Sequence, residues 1–218
     1  FPYTTLFRSI VYTPLNGTGN LPVRRILKEL GFGSVYVVPE QELPDSNFTT
    51  VGYPNPEDPK VYTLAKKLAE EVGADIILAT DPDADRLGVQ VRNEKGEFVL
   101  LNGNMTGALI AEYVFSQKAA HHTLPSNAAL VKTIVTGNIS DQIAKYYGAT
   151  LIEVLTGFKY IGEQIKLFKE TGSHEYVFGF EESYGCLIGT HSRDKDAVGD
   201  GRDFELVDVD SEIGRASC

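Results

Sequence analysis

Short apolar runs alternate with segments of helical periodicity along most of this chain, and the alternation occurs twice. The first round begins at Ile10–Tyr12 and ends in two hairpin strands, Leu87–Val91 and Glu97–Leu101. The second extends from a helix at Met105–Ser116 to a strand at Tyr176–Phe180. Between them we predict a strand at Ala129–Val135, a helix at Ile139–Tyr147, a strand at Thr150–Val154 and a helix at Phe158–Lys169. Strands that alternate with helices pack as a parallel sheet covered by helices. We therefore predict an α/β fold with two consecutive α/β/α sandwich domains, whose sheets are mixed but mostly parallel.

The two rounds place the predicted domains at 10–102 and 103–198, with a boundary near Asn102–Gly103. The ends lack this periodicity and partly resemble translated sequencing-adapter sequence. We therefore predict that segments 1–9 and 199–218 are non-native or foreign, and we leave them out of the fold argument.

Charge and composition narrow the class of protein. Lys and Arg number 20 and Asp and Glu number 30, so the net charge is −10, which disfavours a nucleic acid as partner. No apolar run approaches a membrane span and no signal peptide is visible, so we expect no membrane partner. Cys186 and Cys218 lie in unlike contexts and predict no disulfide, which favours a cytoplasmic location.

Three carboxylates lie between two apolar runs, where one predicted strand stops and the next begins. Asp81, Asp83 and Asp85 follow each other at alternate positions, and Pro82 argues against a helix here. An extended or turning backbone can bring alternate side chains to one point. Carboxylates at such distances repel one another unless a cation lies among them. The spacing therefore predicts a metal site.

Oxygen ligands in so small a number favour magnesium, which keeps several waters. A calcium loop of the EF-hand type is excluded because Arg86 replaces the glycine at its sixth position and Arg92 replaces the glutamate at its twelfth. A plain acidic turn with Arg86 as a solvated counter-ion is the structural alternative.

Asn16–Gly19 lies between a predicted strand and a predicted helix and has two interpretations. It could be a weak phosphate cradle at a helix N-terminus, or a tight turn, which is the favoured interpretation.

A second loop, Gly179–Gly185, carries two carboxylates and a hydroxyl between glycines. Alternate side chains of an extended segment share a face, so Glu181 and Ser183 are predicted to bind vicinal hydroxyls of a sugar. For Glu182 itself, a helix cap or a surface acid is the favoured interpretation. Because ligands of open parallel sheets bind beyond the carboxyl ends of strands, we also single out Thr80–Arg86 and Thr156–Lys159.

A charged segment follows the second loop at His191–Asp196. Alone it would be a solvated face, but beside a carboxylate loop it supplies cations for an anionic substrate and a Lys or His for proton transfer. The remaining histidines, His121, His122 and His174, have no partners at metal-ligand spacing and are predicted to be surface residues.

These motifs together resemble a known family. Asp81-Pro82-Asp83-Ala84-Asp85-Arg86 resembles the magnesium loop of the α-D-phosphohexomutases, the phosphoglucomutase and phosphomannomutase group. The Gly179–Gly185 loop is similar to their sugar-binding loop, Thr156-Gly157-Phe158-Lys159 to their Thr-Gly loop, and His191–Asp196 to their basic segment. The resemblance covers about 10–198 and implies the second and third of the family's four domains.

The resemblance also implies a role for each matching position. The metal ligands for Mg²⁺ would be Asp81, Asp83 and Asp85. Arg86, Lys195 and His191 would be catalytic, with Arg86 on the transferring phosphoryl group and Lys195 the leading candidate for proton transfer. The residues implied to bind substrate are Thr156, Gly157, Glu181, Ser183 and Arg193.

The implied reaction is the reversible interconversion of a hexose 1-phosphate and 6-phosphate, with glucose 1,6-bisphosphate as intermediate or activator. The Glu-Glu-Ser loop resembles that of the glucose branch. Nothing in the sequence matches the family's serine nucleophile loop or its last phosphate-binding loop. We therefore expect a fragment without domains 1 and 4, and without mutase activity when expressed alone.

Two other functions remain open at this point. A non-catalytic module that binds magnesium and a sugar phosphate is favoured by the missing serine. A haloacid-dehalogenase-like phosphatase, with Asp81 as nucleophile, is the poorer alternative, because that arrangement needs Thr where Asp85 stands.

Overall fold

A computed structural model describes residues 9–199, which divide between Asn102 and Gly103 into two compact units. The fold is mixed α/β with two sheets and matches two consecutive α/β/α domains, so the predicted fold class is confirmed. Of the two segments predicted to be foreign, 1–8 and 200–218 lie outside the described residues. Ser9 is the first residue of a strand, so the regular structure begins one residue earlier than predicted.

The first unit contains five strands and two α-helices. In chain order the elements are β1 (Ser9–Thr13), α1 (Asn20–Glu29), β2 (Ser34–Val37), two 3₁₀ turns (Pro39–Gln41 and Pro59–Tyr62), α2 (Thr63–Val72), β3 (Ile76–Thr80), β4 (Leu87–Arg92) and β5 (Phe98–Leu101). Helix α2 ends at Gly73, whose left-handed conformation (φ 67°) suits glycine at a helix C-terminus.

The first sheet has the strand order β2-β1-β3-β4-β5. Strand β1 pairs in parallel with β2 and β3, whereas β4 and β5 continue the sheet as antiparallel strands. The apolar face of α2, which includes Ala65 and Ala69, packs with Val11, Ile77 and Ala79 of the sheet in one buried cluster. Strand β3 is therefore buried along its whole length, and its carboxyl end delivers Asp81 to the edge of the core.

In the part of the second unit that the structure describes, there are four strands and three complete helices. Its elements are α3 (Gly103–Ala120), β6 (Ala128–Thr133), α4 (Ile139–Tyr147), β7 (Thr150–Val154), α5 (Phe158–Thr171), β8 (Glu175–Phe180) and β9 (Cys186–Ile188). The strand order is β7-β6-β8-β9, in which β6 pairs in parallel with β7 and β8 and only β9 is antiparallel.

A bulge interrupts the pairing of β6 with β8. The register shifts between Ala129 and Leu130, so that Val177 of β8 has no partner on β6. Tyr176 belongs to the cluster that α5 forms with the sheet. Phe180 packs against α3, where Gly107 is so close that a Cβ atom would lie 2.1 Å from the Phe180 ring.

Two predicted features of the second unit are wrong. Strand β6 ends at Thr133 and not at Val135, because Thr136 donates its backbone N–H to the Thr133 carbonyl at 3.0 Å and closes a turn there. Ile134 and Val135 are consequently more than half exposed. His174 is half-buried beside the Phe168 ring, with ring centroids 5.2 Å apart, and is not a plain surface residue.

Within residues 9–199, no helix has both the length and the apolar character needed to cross a membrane.

Candidate functional site

The acidic loop between β3 and β4 gathers three carboxylates. One oxygen each of Asp81, Asp83 and Asp85 lies within 4.8 Å of the other two. Asp81 is buried, Asp85 is half-buried and Asp83 is exposed, so the group opens from the core toward solvent. Around magnesium, with Mg–O distances of about 2.1 Å, ligand oxygens lie roughly 3.0 to 4.2 Å apart, so small side-chain shifts would bring all three into range. The three side chains therefore fit a small, hard cation.

A tight turn makes this convergence possible. The Asp81 side chain accepts the backbone N–H groups of Asp85 and Arg86 on one oxygen, at 3.0 and 3.1 Å. Ala84 adopts a left-handed conformation (φ 58°), which is uncommon for a residue with a Cβ atom. The loop thus folds around the Asp81 carboxylate. The second oxygen of this carboxylate lies 3.7 Å from the Arg86 guanidinium.

The loop is held in place by the Asn16–Gly19 segment that follows β1. Thr18 donates both its backbone N–H and its hydroxyl to the Pro82 carbonyl, at 2.8 and 3.0 Å. Asn16 and Gly17 also donate their N–H groups to backbone carbonyls. Because three of its amides are already bonded, Asn16–Gly19 is the tight turn favoured above and not a phosphate cradle.

Arg86 lies among several carboxylates at the entrance to an open cleft. Its guanidinium is 3.4 Å from Glu57, 3.7 Å from Asp81 and 3.8 Å from Asp85. The cleft has a volume of about 420 Å³ and is lined by Phe48, Gly52, Tyr53, Pro54, Asn55, Asp81, Pro82 and Arg86. The segment before α2 therefore forms a wall beside the acidic loop, which the sequence did not predict.

Burial raises the pKa of the Asp81 carboxyl from 3.8 to about 7. The backbone hydrogen bond from Arg86 opposes the rise, while the negative charges of Asp85 and Asp83 add to it. Without a cation, the Asp81 carboxyl therefore holds a proton at pH values below about 7. A bound divalent ion would supply the missing positive charge, which is the second indication that the loop suits a metal.

The second predicted loop, in the other unit, places Glu181 and Ser183 together. Glu181 follows β8 directly and is only 6% exposed. The Ser183 hydroxyl donates to one Glu181 carboxylate oxygen at 2.9 Å. The Glu181 backbone N–H donates to the Gly185 carbonyl at 2.9 Å and closes the loop. An acceptor and a hydroxyl therefore lie side by side, as binding of a polyhydroxyl ligand requires.

Lys195 reaches this loop from the basic segment. Its ammonium lies 3.9 Å from the carboxylate of Glu181 and 3.7 Å from that of Asp194. It also lies 5.9 Å from the centre of the Phe158 ring, at the start of α5. Gly185 permits this approach, since a Cβ atom there would lie 2.0 Å from the Lys195 side chain. The structure thus brings together Glu181, Ser183 and Lys195.

The other predicted residues of this unit lie farther toward the surface. His191 pairs with the Asp196 carboxylate at 2.8 Å, and Arg193 donates to the backbone carbonyls of Thr190 and Ser192. Thr156 is exposed, and Gly157 has a φ of 118°, which favours glycine, immediately before α5. Gly157 is thereby the residue that turns the chain from β7 into the helix that carries Phe158.

Sequence reasoning missed the end of β6. The Glu182 carboxylate accepts the Thr133 hydroxyl at 2.9 Å, so the interpretation of Glu182 as a helix cap or surface acid is wrong. The preceding residue, Lys132, is fully buried and pairs with Asp141 and, at 3.5 Å, with Glu153. The available sequence signal was a lysine and two threonines, Lys132, Thr133 and Thr136, at and just after the end of β6. The prediction of a strand that continues to Val135 concealed this signal.

Comparisons with known proteins agree with this architecture. Residues 5–96 match the family model described as "Phosphoglucomutase/phosphomannomutase, alpha/beta/alpha domain II", and residues 102–200 match the one described as domain III. The chain is similar to a phosphoglucomutase of Staphylococcus epidermidis, with 40% identity over 189 residues, covering 87% of this chain and 34% of that protein. A phosphoglucomutase of Staphylococcus aureus is 39% identical over 190 residues, covering 87% and 33%.

A solved structure shows the same fold. The phosphoglucomutase/phosphomannomutase family protein of Burkholderia thailandensis superimposes with a TM-score of 0.72 at 20% identity, covering 96% of this chain and 42% of that one. The chain spans about a third of the length of the curated relatives that it matches. On these matches, the chain belongs to the phosphoglucomutase/phosphomannomutase family and carries its domains II and III.

Proposed function

We propose that this chain is part of a magnesium-dependent phosphohexomutase that interconverts a hexose 1-phosphate and a hexose 6-phosphate, with glucose as the preferred sugar. The observation that carries the proposal is the convergence of Asp81, Asp83 and Asp85 within 4.8 Å in a chain of this family. The name phosphoglucomutase of the Staphylococcus relatives supports the choice of glucose. A phosphoserine in domain 1 of the parent protein would carry the phosphoryl group, with the bisphosphorylated sugar as intermediate.

In this proposal the acidic loop holds the ion and the charged end of the substrate. Asp81, Asp83 and Asp85 would bind magnesium, which when bound supplies positive charge to phosphoryl oxygens. Arg86 would contact the transferring phosphoryl group, since its guanidinium borders the open cleft beside the acidic loop. Arginine suits this role because its planar donors match phosphate geometry.

The loop of the second unit would bind the sugar. Glu181 and Ser183 would bind adjacent sugar hydroxyls, because the carboxylate accepts and the serine hydroxyl can both donate and accept. Lys195, 3.9 Å from Glu181, would contact the substrate or move a proton at the reacting oxygen. The residues proposed to contact substrate nearby are Thr156, Gly157, His191 and Arg193.

Magnesium titration by calorimetry tests the metal site on the chain itself. We expect Asp83→Ala to weaken binding at least tenfold, about 1.4 kcal/mol, because it removes one of three anionic ligands. Asp83 is exposed, so its loss leaves the core intact. Glu94→Ala, in the exposed turn between β4 and β5, removes the same charge elsewhere and is the matched control.

Glucose 1,6-bisphosphate added to the same titration tests the proposed substrate class. We expect magnesium to bind more tightly in its presence, because phosphate oxygens complete the ligand set. Equal magnesium binding by the native chain and Asp83→Ala would contradict the metal assignment. Tight magnesium binding that the bisphosphate leaves unchanged would instead favour a metal module without the proposed substrate.

Magnesium affinity is also expected to depend on pH. Because the pKa of Asp81 is raised to about 7, a proton occupies this ligand below that pH and competes with the ion. Affinity should therefore rise about tenfold between pH 6 and pH 8 and level off above it, as the carboxylate becomes fully ionised. Calorimetry at four pH values in that range measures the effect. A flat profile would show that Asp81 is already ionised at pH 6.

A further inference from the structure

In sequence, Glu182 lies between Glu181 and Ser183, the two residues proposed to bind the sugar. Its own side chain forms a hydrogen bond to a different element of the unit. Ser183 donates to Glu181, whereas the Glu182 carboxylate accepts the Thr133 hydroxyl at 2.9 Å. Thr133 is the last residue of β6, which lies between β7 and β8 in the second sheet. The middle residue of the sugar loop is therefore attached to an interior strand of the sheet.

The hydroxyl groups at this attachment form a directed chain. Thr133 is fully buried and Thr136 is 4% exposed, and their side-chain oxygens are 2.7 Å apart. A hydroxyl has one hydrogen to donate, and Thr133 donates its own to Glu182, so Thr136 must donate to Thr133. Hydrogen bonds that end on a carboxylate are stronger than neutral ones. The chain Thr136 to Thr133 to Glu182 thus fixes the Glu182 side chain from inside the sheet.

The backbone of the same loop is confined by α3. A Cβ atom at Gly103, the first residue of α3, would lie 2.1 Å from the Glu182 carbonyl oxygen and 2.7 Å from the Tyr184 nitrogen. Two independent elements therefore hold residue 182, since β6 holds its side chain and α3 confines its backbone. Residues on either side of it have little freedom as a result.

We propose that Glu182, bonded to Thr133, is a positioning residue that presents Glu181 and Ser183 to the sugar. The inference rests on the proposed sugar-binding role of those two residues. Glu182 does not touch the ligand; it keeps the loop in one conformation, so that binding does not have to order it. Without the bond, the loop would sample other conformations and the Thr133 hydroxyl would lose its acceptor.

Amide hydrogen exchange on the whole chain tests the attachment without any ligand. We expect Thr133→Val, which keeps the shape but removes the donor, to speed exchange of the Glu181 N–H at least tenfold. Thr133→Ser restores a hydroxyl and is expected to exchange like the native chain. Glu182→Ala should match Thr133→Val, and the double variant should be no worse than either single change.

Binding of glucose 6-phosphate, measured by calorimetry on the same variants, tests the positioning role. We expect about tenfold weaker binding for Thr133→Val and recovery with Thr133→Ser. Native exchange of the α5 amides in both variants serves as the sign that the second unit is still folded. Native exchange rates in Thr133→Val would overturn the attachment. Faster exchange with undiminished sugar binding would overturn the positioning role.

A third outcome separates this inference from the proposed function. If the native chain binds no sugar phosphate at all, the proposed function fails and the positioning role fails with it. The exchange rates still decide, in that case, whether Glu182 and Thr133 hold the loop.

Discussion

Replacing Gly17 by alanine is expected to displace the acidic loop and to weaken magnesium binding by more than tenfold. A Cβ atom at this position would lie 2.4 Å from the Pro82 Cα and 2.6 Å from the Pro82 carbonyl oxygen. Both are backbone atoms and have no alternative rotamer, so the chain itself must move. Overpacking of this kind costs about 1–3 kcal/mol. Because Pro82 lies between Asp81 and Asp83, two of the proposed metal ligands, the same shift separates their carboxylates.

Urea unfolding and magnesium calorimetry on Gly17→Ala measure the two effects. Gly33→Ala is the matched control in the same unit, since a Cβ atom there meets nothing within 4 Å. Neither glycine has a positive φ, so alanine is compatible with both backbones and the contrast reports the Pro82 contact alone. Native stability together with native magnesium affinity in Gly17→Ala would show that the contact does not hold the loop.

Because Lys132 is buried, we expect two variants that break the same ion pair to lose different amounts of stability. Its side chain is 0% exposed, whereas that of Asp141 is 37% exposed. Asp141→Ala leaves the ammonium buried with Glu153 3.5 Å away as its remaining anionic partner, and should cost about 3 kcal/mol. Lys132→Met leaves the carboxylates in contact with solvent and should cost about 1 kcal/mol or less.

Urea unfolding of the two single variants checks the order of these costs. Glu153→Ala, which removes the longer contact, is expected to fall between them. A larger loss for Lys132→Met than for Asp141→Ala would mean that the ammonium stabilises the end of β6 beyond its ion pair. One route for this is its contact of 3.3 Å with the Gly137 carbonyl.

Local patterns were sufficient for the strand and helix framework. The periodicity of 139–147 and 150–154 predicted α4 and β7 with the bounds that the structure has. Periodicity gave a wrong strand end where apolar residues are exposed, as at Ile134 and Val135, and it missed a short strand. Strand β9, of three residues, was missed because it exists only through antiparallel pairing with β8.

The acidic loop shows how far residue spacing can go. The alternation of Asp81, Asp83 and Asp85 beside Pro82 predicted that their carboxylates converge, and the structure places them within 4.8 Å. Spacing carried no information about the raised pKa of Asp81. That value depends on burial at the end of β3, which packing against the rest of the unit produces.

The sequence by itself determined the order of the elements, the chemical groups at the strand ends and the family resemblance, because periodicity and motif spacing are local properties. Only the tertiary structure decided which distant residues support those groups: Thr18 bonds to Pro82, and Thr133 bonds to Glu182. Hydrogen bonds and steric contacts of this kind act between groups a few ångströms apart in space. Residues far apart in sequence meet at such distances only once the sheets have formed.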